Sequence, residues 1–84
     1  MSEPTVRNTV RVQRAIRDLT QADLAGMAGM TRASVNAIEG GRMIPSILLA
    51  LKLARALGVR VDDLFSLSDE AQFEHEPSNA ETLR

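Results

Sequence analysis

Residues Gln21 to Gly40 read QADLAGMAGMTRASVNAIEG, and the order of small and apolar residues there is what two short helices need to cross tightly at a fixed angle. A helix pair joined by a turn of three or four residues requires a small side chain where the helices touch, and Ala25 meets that demand. The turn needs a backbone free of Cβ strain, which Gly29 supplies. Thr31 then offers a side-chain oxygen to the first unpaired N–H groups of a new helix. Val35 and Ile38, three residues apart, fall on the inner face of that helix. Arg32, Ala33, Asn36 and Ala37 are left to its outer face.

That frame is a helix-turn-helix, and the rest of the chain supplies helices to support it. Asn8 is a good N-cap for a first helix from about Thr9 to Asp18. Thr20 caps the second, Gln21 to Ala28, with Asp23 near its positive end. The third runs from Arg32 to Glu39 and stops at Gly40-Gly41. Pro45-Ser46 opens a fourth, whose Ile47, Ala50, Leu51, Ala54 and Leu57 follow helical spacing before Gly58 ends it. A short fifth helix, near Val61 to Phe65, closes the core. The expected fold is therefore all-α, a compact five-helix domain.

The residues carrying this pattern resemble the helix-turn-helix domain of the Cro and lambda-repressor-like family, also called the XRE family. Leu19-Thr20-Gln21, Leu24-Ala25, Gly29, Thr31-Arg32, Ile38-Glu39, Gly41-Arg42, Pro45-Ser46, Ala50-Leu51-Lys52, Ala54 to Val59 and Asp63-Leu64-Phe65 look like the family's usual residues in their usual order. The resemblance spans roughly residues 8–68 and is nearest to small stand-alone regulators. It implies double-stranded DNA as partner, a transcriptional regulator acting as a repressor, and a homodimer on an operator with two-fold symmetry. Some small members pair the chain ends as a two-stranded ribbon, and Thr5-Val6-Arg7 and Phe65-Ser66-Leu67 are short β-prone runs suited to it.

An arginine in the major groove can donate two hydrogen bonds to guanine, and an asparagine can bond adenine in the same bidentate way. Arg32, at the end of the helix that meets base edges, and Asn36, one turn further, are the base-reading candidates. Ala33 and Ala37 offer methyl contact or room for close approach. The plainer alternative for Arg32 is a solvated or phosphate-bound side chain. The resemblance makes Gln21 a phosphate contact, with Ser34 and Arg42 at other backbone-touching positions beside the open amides of Gly40-Gly41. Thr31, at the start of the third helix, joins this phosphate-contacting set. The resemblance also pairs Arg14 with Glu39 and places the dimer contact around Ile44 and the fifth helix, with Val61 and Leu64 as apolar anchors. Arg11, Arg17 and Lys52 read as solvated surface charges.

A formal net charge of -1 argues against a phosphate binder until its distribution is considered. Residues 1–60 hold nine basic residues against four acidic ones, whereas residues 61–84 hold one against seven. The chain thus divides into an arm or short strand over 1–7, a basic domain over 8–68 and an acidic tail over 69–84. That tail is expected to be solvated, with Phe73 its only aromatic residue. With no cysteine there is neither a disulfide framework nor a thiol nucleophile. The opening MSEPTVRNTV lacks an apolar h-region, and Ile47 to Leu51 is far too short to cross a bilayer, so a cytoplasmic chain free of the membrane is expected.

No enzyme is legible. His75 sits in the acidic tail outside any metal-binding spacing, Ser34 has no base near it in sequence, and neither metal nor cofactor is implied. Met27 and Met30, around the turn, read as fillers of core gaps. Several residues depart from the family pattern. Gln13 stands where a leucine usually packs, while Val12 and Ile16 are apolar where polar residues are usual, so the first helix is either rotated or carries a second covered stripe. Gly26 interrupts the second helix at a cost of about 1 kcal/mol relative to alanine. These extra apolar groups, Leu48 and the acidic tail suit a second function class, a protein-interaction module such as an antitoxin or anti-repressor with DNA binding secondary.

Overall fold

A computed structural model describes residues 3–69. Five helices follow one another between two short strands: β1 Val6–Asn8, α1 Val10–Ile16, α2 Gln21–Ala28, α3 Arg32–Glu39, α4 Ile47–Leu57, α5 Val61–Leu64 and β2 Phe65–Leu67. Apart from Asp69, the acidic tail with His75 and Phe73 lies outside the described residues.

The helix limits follow local chemistry. Thr20 and Asp23 form a reciprocal capping box: the Thr20 hydroxyl accepts from the Asp23 amide, and the Asp23 carboxylate accepts from the Thr20 amide, both at 2.9 Å. The bond from the Thr20 amide, with a smaller contribution from the Thr20 side chain, holds the Asp23 carboxyl below its ordinary pKa. Gly29 ends α2 in the left-handed region at φ 69°, the conformation that leaves glycine unstrained. Thr31 and Ser46 accept from the amides three residues on, at 3.0 and 3.1 Å, and so start α3 and α4. α1 is shorter than expected at both ends. The Asn8 side chain accepts from Val10, which starts the helix at that residue, and Asp18 adopts a left-handed φ of 56° that a helix cannot pass through.

The core is one apolar cluster: Val10 from α1, Leu24, Ala25 and Ala28 from α2, Val35 and Ile38 from α3, Leu53, Ala54 and Leu57 from α4, and Leu64 from α5. α2 packs on both α3 and α4. Ala25, 4 % exposed, leaves room for that approach. α1 is not rotated: Val10 points inward, Gln13 is half-buried, and Val12 and Ile16 remain exposed. Met30 packs on the core, whereas Met27 is exposed, contrary to its expected filling role.

The face of α4 is the main correction. Of the expected stripe, Ala54 and Leu57 point inward with half-buried Ala50, joined by Leu53, while Ile47 and Leu51 are 80 % and 53 % exposed. The inward and outward stripes are about 100° apart on one helix, and only one can face α2.

The chain ends meet as an antiparallel ribbon with Val6 opposite Leu67, Arg7 opposite Ser66 and Asn8 opposite Phe65. Phe65, expected to finish α5, instead begins β2. The Thr9 backbone amide and hydroxyl donate to the Leu64 and Asp63 carbonyls at 2.9 and 2.7 Å, and the Asn8 side-chain amide donates to the Ile38 carbonyl at 3.0 Å. These bonds fasten the N-terminal segment to the ends of α5 and α3.

Candidate nucleic-acid interface

α3 is strongly amphipathic, with Val35 and Ile38 buried and Arg32, Ala33 and Asn36 exposed around a half-buried Ala37. Arg32 makes no hydrogen bond or ion pair among the described residues. Its guanidinium, with five donors and no acceptor, is fully available to an outside partner. Gln21, Arg32, Ala33 and Asn36 line one shallow hollow of about 320 Å³, so the first turn of α2 and the outer face of α3 form a single surface.

Behind this surface runs a chain of polar contacts. Arg14 clasps Glu39 with two hydrogen bonds of 2.7 and 3.1 Å and donates a third, at 2.8 Å, to the Leu19 carbonyl. Gln21 donates to Glu39 at 3.0 Å, and Asn36 donates to Gln21 at 3.3 Å. The Arg42 guanidinium donates to the Asn36 side-chain oxygen and, at 3.2 Å, to its carbonyl. The expected Arg14–Glu39 pair is therefore present and clamps α1 to α3, with the Glu39 side chain only 5 % exposed. Burial pushes the Glu39 carboxyl upward, but hydrogen bonds from Arg14 and Gln21, with the charges of Arg14 and Arg11, hold it below its ordinary value. The hydrogen bond to Glu39 raises the Arg14 pKa above its ordinary value.

Asn36 is bonded on both sides of its amide. One N–H and one oxygen lone pair remain, the minimum that a bidentate adenine contact needs. Thr31 and Ser34 share a hydroxyl–hydroxyl bond of 2.9 Å, so one hydroxyl hydrogen of the pair stays free. Arg42 lies against Gly40, where a Cβ would collide with its guanidinium. The amides of Gly40 and Gly41 are not open as expected: they donate to the Asn36 and Ile38 carbonyls at 3.0 and 3.1 Å, because the chain closes the helix end with them. The Gln21–Asn36–Arg42 linkage has no signal in the sequence, since it depends on how the helices cross.

Of the expected apolar anchors, Ile44 is 70 % exposed, Val61 is half-buried and Leu64 is 1 % exposed. Leu64 fills this protomer's own core, so it has no surface to offer a partner. Ile47, Leu48 and Leu51 instead share an exposed face of α4 beside Ile44. Among the described residues no group of side chains is arranged to hold a metal, and no helix is long and apolar enough to cross a membrane.

Comparison with known proteins places this geometry. The Helix-turn-helix family profile matches residues 10–64. An uncharacterised HTH-type transcriptional regulator of Methanocaldococcus jannaschii is 40 % identical over 65 residues, covering 77 % of this chain and 98 % of that protein. The uncharacterised HTH-type regulator YgzD of Bacillus subtilis has the same identity and coverage. Among solved structures, the restriction-modification controller protein C.AhdI from Aeromonas hydrophila superposes with a TM-score of 0.63 at 33 % identity, over 64 % of this chain and 82 % of that one. A hypothetical transcription factor from Neisseria, NHTF, superposes at 0.66 with 29 % identity, over 79 % and 73 %. With its capped helix pair, its glycine turn and this match across the whole core, the chain belongs to the helix-turn-helix regulator family of the Cro and lambda-repressor (XRE) type.

Proposed function

We propose that the chain binds double-stranded DNA sequence-specifically as a transcriptional repressor, with α3 reading the major groove and two copies reading the two halves of a symmetric operator. The observation that carries this is Arg32, exposed and unpartnered among the described residues at the start of α3, beside small Ala33 and Ala37 and the pre-positioned Asn36. Arg32 and Asn36 face the bases, Ala33 and Ala37 allow close approach, and Gln21, Thr31, Ser34 and Arg42 fix the docking on phosphates.

Selecting bound sequences from random duplex DNA with the purified chain tests the reading. Arg32→Ala is expected to cost about 1 to 3 kcal/mol on the best site and to relax preference at one base position, while Gln21→Ala and Arg42→Ala weaken all sequences alike. Equal, sequence-independent loss from all three would remove Arg32 from the bases.

A single recognition helix reads few base pairs, so two copies with half-sites about 34 to 36 Å apart are needed for an operator. The exposed apolar side chains Ile44, Ile47, Leu48 and Leu51 support pairing, and Val61 is half-buried against the core. Placing glutamates at Ile47 and Leu48 together should leave a folded monomer that binds a half-site as well as a full site. Sedimentation of the double variant as a dimer would contradict that placement.

A further inference from the structure

A second basic surface lies beside α3. Arg11 and Arg14 from α1, Gln21 from α2, Asn36 and Glu39 from α3, and Gly40 and Arg42 beyond it line a cleft of about 270 Å³. From sequence Arg11 is an ordinary solvated charge; in the fold it lines the same cleft as Arg42. Glu39 is the only acid among the lining residues, and it is already bonded by Arg14 and Gln21. Its charge is thereby matched inside the protein, which leaves those of Arg11 and Arg42 in excess at the cleft. Arg42 is held in place by Asn36 through two contacts. Arg11 makes no hydrogen bond or ion pair among the described residues.

We infer that this cleft seats one phosphodiester of the DNA backbone between Arg11 and Arg42, and that Arg11 is a positioning residue setting how α1 and α3 lie along the duplex. The inference rests on the DNA-binding reading and adds to it a residue from α1, outside the helix-turn-helix. Two guanidiniums lining one cleft supply charge-assisted donors to the two free oxygens of a phosphodiester. Gln21 keeps a second amide hydrogen for the same oxygens, since one is used on Glu39. Asn36 belongs to both surfaces, so seating a phosphate against Arg42 also fixes the amide that faces the bases.

The test is a salt titration of duplex binding by the full chain, on the selected site and on random sequence. Neutralising one phosphate contact fewer lowers the slope of log affinity against log salt by about 0.9 per protomer. Arg11→Gln is expected to show that drop on both DNAs, and Arg11→Lys to restore the slope. Melting of the free protein should change little, because Arg11 makes no internal hydrogen bond among the described residues and its charge is the smallest of the influences on Glu39. Arg17→Ala is the control, since Arg17 lies away from the cleft and bonds Gln13 at 2.7 and 2.9 Å. An unaltered slope for Arg11→Gln, an equal drop for Arg17→Ala, or a loss confined to the selected site would each overturn the assignment. Inorganic phosphate exchanged for chloride at constant ionic strength separates a free anion from the backbone. A rise in melting temperature that Arg11→Gln abolishes would give the cleft to a free anion and also overturn the proposal. A wild-type chain that retains no duplex even at low salt would refute the DNA reading itself, and this inference with it.

Discussion

Arg14→Ala is expected to lower the unfolding free energy by about 3 kcal/mol, near the lower end for removing one partner of a buried pair because the Arg14 side chain is itself 18 % exposed. For a domain of this size that is a fall of roughly 12 to 24 °C in melting temperature. The loss exceeds that of an ordinary surface ion pair because Glu39 would stay buried with Gln21 as its remaining side-chain donor. The same carboxylate gives the fold a pH dependence whose sign follows from its depressed pKa. Its contribution is fully present above the ordinary carboxyl value of 4.5 and is lost as pH falls through the lower folded value. Urea unfolding at neutral pH and again below pH 4 should therefore show the wild type losing stability with acid, and Glu39→Gln losing less. Equal midpoints for Arg14→Ala and the wild type would show that the clamp does not hold the fold.

The clamp also bears on function, since Glu39 orients Gln21 and Gln21 in turn contacts Asn36. A change at Arg14 should therefore affect DNA binding by more than its stability cost at temperatures where the variant remains folded. Residues in one hydrogen-bond network are not independent, and a double-mutant cycle between Arg14 and Asn36 is the direct measure.

The parts of the fold that local chemistry controls were legible in the sequence. α2 and α3 begin and end where Thr20, Gly29, Thr31 and Gly40 require, because caps and a left-handed turn residue act over three or four positions. The ribbon depends on pairing Val6 with Leu67, some sixty residues away, and three-residue strands carry almost no local signal of their own. Its existence came from resemblance and its register only from the structure. The outer face of α3 was readable from helical spacing, and the Arg14–Glu39 pair from family positions. The role of Arg11 and the Gln21–Asn36–Arg42 linkage were not readable, since they arise from the crossing of α1, α2 and α3 in space. Gly40-Gly41 looked like a supply of open amides, yet helix closure uses them first.

α4 failed for a different reason, and it yields the other large effect. Apolar side chains cover most of its circumference, so spacing alone permits either Ile47 and Leu51 or Leu53 to face inward beside Ala54 and Leu57. Packing against α2 decides for Leu53, which has no exposed surface, while Leu51 keeps about half of its own. Leu53→Ala removes a fully buried side chain and leaves a cavity, an expected cost of about 2 to 5 kcal/mol. A single small domain has about 5 kcal/mol or a little more to lose, so this variant should be partly unfolded near body temperature. Leu51→Ala makes the contrast. In a monomer it should cost well under 1 kcal/mol, as an exposed substitution does. If its face pairs two copies, that small cost should grow with protein concentration, because association stabilises the folded state by mass action. The penalty at Leu53 should be large at every concentration. Thermal melts of both variants across a hundredfold range of protein concentration separate the core stripe of α4 from its outward one. A larger penalty at Leu51 than at Leu53 at every concentration would mean that this helix is turned the other way.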